Sequence, residues 1–279
     1  MARERIIVTL QGSEADSECS LAAAKLATTL DANVDGLFIE PDASSYLLWT
    51  GPGAAAAAVV AGAADAVRDE SEACARIAKA TFLDGLEAAG LPASRGRFVR
   101  VSGLANEVAS ESRLARVMIT DAASAARRGA LADFIMAALV DEQIPVYVVR
   151  GGITPAETVT VCWDGSKEAA RAVYGAAPQL SNAKKVTILH SEKGLDFEDR
   201  RMAPPDRLID WLGGRGKHAM VKEIDTDGDL GEAILDASKG ADLIVAGAYG
   251  HSRLREFVFG GVTKTLLHAV DGPSLLLAH

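Results

Sequence analysis

The residues best suited to chemistry stand in the stretch Ala241–Ser274. Leu243 to Ala246 is a short apolar run of the kind a buried parallel strand shows. Gly247 and Gly250 break it, nine residues follow, and Gly260-Gly261 opens a helical pattern at Val262, Leu266 and Leu267. A strand that ends in a glycine loop and leads into a helix can hold an anion. Glycine lets the backbone approach closely, its N–H groups point outward, and the helix N-terminus carries partial positive charge. The intervening loop adds His251, Arg253 and Arg255, a phosphate donor and two cations. Glycines so spaced serve equally well as tight turns beneath a surface loop with solvated charges. His218 and His268 show no metal-ligand spacing, and the chain has no G-x-S-x-G elbow, no Walker lysine and no defensible pair of catalytic carboxylates.

Composition narrows the setting. The chain has 279 residues, 49% of them hydrophobic, a net charge of −9 and a pI near 5.1. That length suits two domains whose cores are built from Ala, Val, Leu and Ile. An acidic chain without a basic tract is a poor nucleic-acid binder, because that affinity rests on phosphate neutralisation. Cys19, Cys74 and Cys162 are scattered and form no C-x-x-C pair, so neither a disulfide framework nor a thiolate zinc site is indicated. The long apolar run from Gly53 to Ala64 is mostly alanine and falls short of the ~20 residues that cross a bilayer. The N-terminal apolar stretch is too short for a signal peptide. These features predict a soluble cytoplasmic protein without nucleic-acid or membrane partners.

Alternating elements must position the glycine loop. Strands are predicted at Arg5–Leu10, Val34–Ile39, Gly96–Val101, Arg116–Thr120 and Val146–Val149. Helices are predicted at Ala15–Leu30, Val67–Ala89, Asn106–Ser112 and Leu131–Val140. The segment Asp42–Ala66 departs from this rhythm, and its Tyr46, Leu48 and Trp49 suit either a lid or packing over the domain's own core. After Gly151-Gly152-Ile153-Thr154-Pro155 the order restarts. Val159–Ser166 lines up with Ile6–Ser13, and Pro273–Leu277 with Pro145–Val149. Helices follow at Lys167–Pro178, Pro205–Gly213 and Leu230–Ser238, with strands at Lys185–His190 and Ala219–Ile224. An internal duplication is the reading these alignments support.

The loop and the duplicated halves resemble the universal stress protein family, whose ATP-binding members carry G-x-x-G, nine residues, then G followed by Ser or Thr. Gly247, Gly250 and Gly260 fall on the three glycines, whereas Gly261 stands where the hydroxyl residue belongs. Thr263 comes two residues too late to replace it simply. The resemblance implies an α/β fold of two repeated doubly wound domains, residues 1–150 and 155–279, each with a five-stranded parallel sheet. The ligand would lie beyond the carboxyl ends of the strands. It further implies an adenine nucleotide, ATP with Mg or Mn, in the C-terminal domain. Gly247 and Gly250 would admit the phosphates, and Gly260, Gly261 and Val262 would supply helix N–H groups. His251 and Arg253 would add donors, Asp164 would stand near the adenosine or the metal, and the backbone at His190 and Ser191 would border the base.

The first half reads differently after its fourth strand. Thr120 to Gly129 holds no glycine pair, its Cβ atoms would crowd a pyrophosphate, and Asp121 would repel one. Its first strand ends in Gln11 where the second half has Asp164. The last strands, which pair across dimers of single-domain relatives, imply an internal pseudo-dimer here. Whether two whole chains associate as a homodimer is left open. The expected function is stress-response binding or signalling, with no catalysis beyond slow ATP hydrolysis. The alternative is a nucleotide-independent scaffold acting through domain pairing and the 42–66 insertion. An adenylating enzyme is disfavoured, since neither first strand ends in the Ser-Gly-Gly loop that such chemistry uses.

Overall fold

The computed structural model describes residues 3–40, 54–126, 131–151, 154–191, 202–224, 228–248, 261–269 and 271–279, and of 54–64 only the backbone. The strands are β1 (Arg5–Leu10), β2 (Asn33–Ile39), β3 (Gly96–Val101), β4 (Ala115–Asp121) and β5 (Val146–Val149), then β6 (Thr158–Cys162), β7 (Lys185–His190), β8 (Ala219–Glu223), β9 (Leu243–Gly247) and β10 (Ser274–Ala278). The helices are α1 (Ala15–Leu30), α2 (Ala54–Ala88), α3 (Ala105–Val108), α4 (Ala122–Ala125) and α5 (Ala132–Val140), then α6 (Lys167–Gly175), α7 (Ala177–Asn182), α8 (Pro205–Gly213), α9 (Leu230–Ala237) and α10 (Gly261–His268).

All ten strands form one sheet in the order β3-β2-β1-β4-β5-β10-β9-β6-β7-β8. Read outward from the centre, each half has the same sequence of strands. Neighbours pair in parallel everywhere except at the joint, where β5 meets β10 antiparallel with Leu275 opposite Val148 and Leu277 opposite Val146. Every joint side chain is buried, and each large aliphatic one contributes about 1.5–3 kcal/mol by leaving water. The antiparallel joint has a geometric consequence: the carboxyl ends of the two halves' strands lie on opposite edges of the sheet.

Side-chain alternation along each strand assigns the faces. Ile6, Val8 and Leu10 join one apolar cluster with α1, α2, α6 and α8, and Ile7 joins the other with α5, α9 and α10. Both clusters run through both halves, so the strand pairing is backed by a shared core on each face. Among the described residues no helix is long and apolar enough to cross a membrane.

The α/β class and parallel sheets agree with the sequence reading, and two helices differ from it most. The helix expected from Val67 begins at Ala54 and runs 35 residues to Ala88. Alanine has the highest helix propensity, so the Ala-rich run extends the helix rather than the insertion. The single helix expected over Lys167–Pro178 is two, because α6 ends at Gly175 and α7 restarts with Pro178 in its first turn, where a missing N–H costs nothing. Tyr46 to Gly53, read as a lid or packing segment, lies outside the described residues.

Candidate functional site

In the second half the ends of β6, β7 and β9 lie side by side, because β6 pairs in parallel with both of the others. The chain leaves β6 through Trp163, Asp164 and Gly165. Asp164 Oδ1 accepts a hydrogen bond from the Ser166 amide at 2.9 Å. Ser166 then caps α6, its Oγ accepting from Ala169 N at 3.1 Å. Gly165 adopts φ +76°, and a Cβ there would sit 2.5 Å from the Ala203 carbonyl oxygen. The turn therefore needs glycine for both its backbone conformation and the close approach of a neighbouring segment. Trp163 is tied across the crevice in two ways. Its indole Nε1 donates to Ala203 O at 2.8 Å, and its carbonyl lies 3.0 Å from Nδ1 of the buried His190 at the end of β7.

Gly247 ends β9 against α6. A Cβ at this position would fall 2.6 Å from the Ala169 amide nitrogen and 2.8 Å from the Glu168 carbonyl carbon. Helix packing alone thus demands glycine at 247. Gly261 is the opposite case, for among the described residues nothing lies within 4 Å of where its Cβ would point. Beyond this start α10 is held by both halves. Thr265 Oγ1 bonds the Asp229 carboxylate at 3.3 Å, while that carboxylate also caps α9 through Glu232 N. Arg150, from the end of β5, donates through Nη2 to the Leu266 and Leu267 carbonyls at 2.6 and 3.2 Å. A cation at the end of a helix meets its negative pole.

At the equivalent place in the first half, side chains bond to one another. Gln11 Nε2 donates to Asp121 Oδ2 at 3.1 Å and lies 3.0 Å from Ser124 Oγ. Asp121 also caps α4, accepting from Ser124 N at 2.9 Å. Asp16 collects the Gln11 and Gly12 amides, with Gly12 N 2.7 Å from Oδ2. Burial pushes the Asp16 carboxyl above its ordinary pKa, and those amide hydrogen bonds pull part of the shift back.

Of the residues marked from the sequence, Asp164 follows β6, His190 ends β7, Gly247 ends β9, and Gly261 and Val262 open α10. Gly250, His251, Arg253 and Gly260 lie outside the described residues. Trp163 and Glu168 were missed. Trp163 is visible only as an apolar residue before Asp164, and its ties to Ala203 and His190 cross 40 and 27 positions. Glu168, in the first turn of α6, is buried with Lys167 Nζ 3.4 Å from Oε1, although its charge alone suggests a solvated helix start. Burial and the nearby Asp164 charge push the Cys162 thiol pKa up to about 12, which keeps the thiolate scarce near neutrality. Among the described residues no group of three or more His, Cys, Asp or Glu could hold a metal ion.

Residues 155–277 match the universal stress protein family. A comparison with curated proteins gives no match. Over its whole length the fold is similar to a universal stress protein from Archaeoglobus fulgidus, at 17% identity over 98% of this chain and 97% of that one, with a TM-score of 0.67. It is also similar to a functionally unknown protein from Pseudomonas aeruginosa, at 13% identity over 99% of this chain and 92% of that one, with a TM-score of 0.57.

Proposed function

We propose, from the premise that residues 155–277 form a universal stress protein family domain, that this is a stress-response binding protein that takes up ATP in its C-terminal half. The reading divides the chain into domains 1–150 and 155–279, derived by duplication and joined as an internal pseudo-dimer working in the cytoplasm. One observation carries the nucleotide assignment. The second half has a helix start whose first residue, Gly261, has no described atom within 4 Å of where a Cβ would point. In the first half, Gln11, Asp121 and Ser124 are engaged in hydrogen bonds with one another.

The amides of Gly261 and Val262 would receive phosphate oxygens, a use that needs backbone rather than side chains. Asp164 spends Oδ1 on the Ser166 amide, which leaves Oδ2 for a ribose hydroxyl or a Mg or Mn ion. The backbone around His190 would border the base. ATP supplies a charged, hydrolysable tail, and the chain's own groups offer binding and orientation without a nucleophile–base pair. Equilibrium dialysis of the intact protein against ATP and Mg²⁺ tests this, with Gly250→Val as the control. Retained ATP in the parent and none in a folded Gly250→Val variant is expected. Equal retention in both would remove the glycine loop from the site.

A nucleotide-independent scaffold is the second reading. It is favoured by Gly261, which lacks the hydroxyl of the family pattern, and by Gly247, whose missing side chain is accounted for by α6. Absence of any ATP binding, with both halves folded, would select it.

A further inference from the structure

The ten-stranded sheet ends at β3 on one side and at β8 on the other, and the two edges are defended differently. Each pairs in parallel with its inner neighbour. On β3 an ion-paired arginine stands on either face, since successive side chains alternate. Arg97 forms two hydrogen bonds to the Asp35 carboxylate, and Arg100 bonds both Glu40 and Glu72. Charge along an edge discourages another strand from adding to it.

The centre of β8 carries no such guard. Met220 and Val221, one on each face, are 62% and 45% exposed, and Lys222 and Glu223 beyond them are exposed as well. Among the described residues no other segment hydrogen-bonds to the outer side of this strand. An unpaired edge with large apolar side chains is a template for strand addition. The molecule already uses that solution once, where β5 and β10 join its halves antiparallel.

The strand is complementary to itself. Two copies meeting edge to edge are related by a two-fold axis normal to the sheet, and residues directly opposite one another point to the same face. Only registers in which one residue faces its own copy meet both conditions. Centring on Lys222 or Glu223 opposes like charges, and centring on Met220 sets His218 against Lys222. Centring on Val221 opposes Val221 to itself, Met220 to Lys222 and Ala219 to Glu223, with no like charges face to face. The Lys222 stem then covers Met220 while its ammonium stays in water. We propose that β8 is a homodimer interface, which pairs antiparallel with β8 of a second copy about Val221 and continues the sheet across both molecules.

Five residues a side make a small contact, so association is expected only toward high protein concentration. Sedimentation equilibrium of the full chain, from about 5 to about 500 µM, should show monomer passing to dimer. Met220→Lys opposes two ammonium groups and should weaken the dimer about tenfold. Met220→Glu faces Lys222 with an anion and should keep the dimer or tighten it, whereas a contact that is merely apolar would lose both variants equally. Val221→Cys should form a disulfide between copies on oxidation, with the parent chain, which keeps Cys19, Cys74 and Cys162, as the control. Both substituted positions are exposed, and thermal unfolding checks that each variant is folded. A monomer at every concentration, equal losses in the two Met220 variants, or no cross-link through Val221→Cys would each overturn the proposal.

Discussion

The two crevices at the strand ends share a backbone and differ in what fills it. Gly12 and Gly165 occupy the same turn, with φ +77° and +76°, and each is crowded by a passing backbone, Cys74 O at 2.6 Å and Ala203 O at 2.5 Å from the position of an added Cβ. Beyond that turn the halves part. The first places Gln11 between Asp121 and Ser124 and so satisfies its own polar groups. The second places Asp164 in a local turn, and no described atom lies near where a Cβ on Gly261 would point. The turn glycine is thus common to both halves, while the side chains around it differ.

The sharpest way to break this comparison is Gly247→Val. The new side chain would collide with the α6 backbone at Ala169, and a loss of about 3 kcal/mol or more is expected in denaturant unfolding. A near-neutral result would return Gly247 to a purely ligand-facing role. Gly12→Ala and Gly165→Ala come next. Each combines a left-handed backbone with a steric clash, so each should cost about 2 kcal/mol, and by similar amounts if the turns are equivalent. Gln11→Ala should cost about 1 kcal/mol by leaving Asp121 and Ser124 short of a donor. It should not create a nucleotide site, because Asp121 remains.

Gly261→Ser sharpens the comparison without touching the fold. The side chain meets no described residue and restores the hydroxyl of the family pattern. Thermal stability should stay put while ATP affinity rises about tenfold, the worth of one hydrogen bond to a charged group. The smallest effect concerns acid. Asp31, Glu72 and Glu142 have pKa values held below the ordinary range, first by hydrogen bonds from Arg3, Arg100 and Arg113 respectively. Their folded pKa values are depressed, so the stability they contribute is present above the ordinary carboxylate range and is lost as pH falls through it. The Arg3–Asp31 and Arg100–Glu72 pairs are exposed, Glu142 is partly shielded, and all three pairs lie in the first half, so the loss is small. Hydrogen exchange on acidification should show β1–β5 loosening before β6–β10.

Much of the fold was legible because burial writes itself into short apolar runs. Leu243–Ala246, Val146–Val149 and Leu275–Leu277 are buried strands as their composition predicts. The start of α2 was not legible, since Gly53–Ala64 has no apolar–polar period to mark a helix face. Glycine spacing identified the loop after β9 but could not say which glycines face a ligand. That depends on α6, some 80 positions earlier, and its backbone accounts for Gly247. The Gln11–Asp121 contact spans 110 positions, and Arg150 reaches α10 across 116. Neither has a local signature. Sequence reasoning found Asp121 as an obstacle to phosphate through its charge, and missed that it also completes a hydrogen-bonded plug.

The asymmetry between the halves is tested most directly by the stoichiometry of nucleotide binding, measured by calorimetric titration of the intact chain with ATP and Mg²⁺. One nucleotide per chain is the predicted result. Two per chain would mean that the Gln11–Asp121–Ser124 plug yields to ligand, and none would leave the start of α10 without the role given to it.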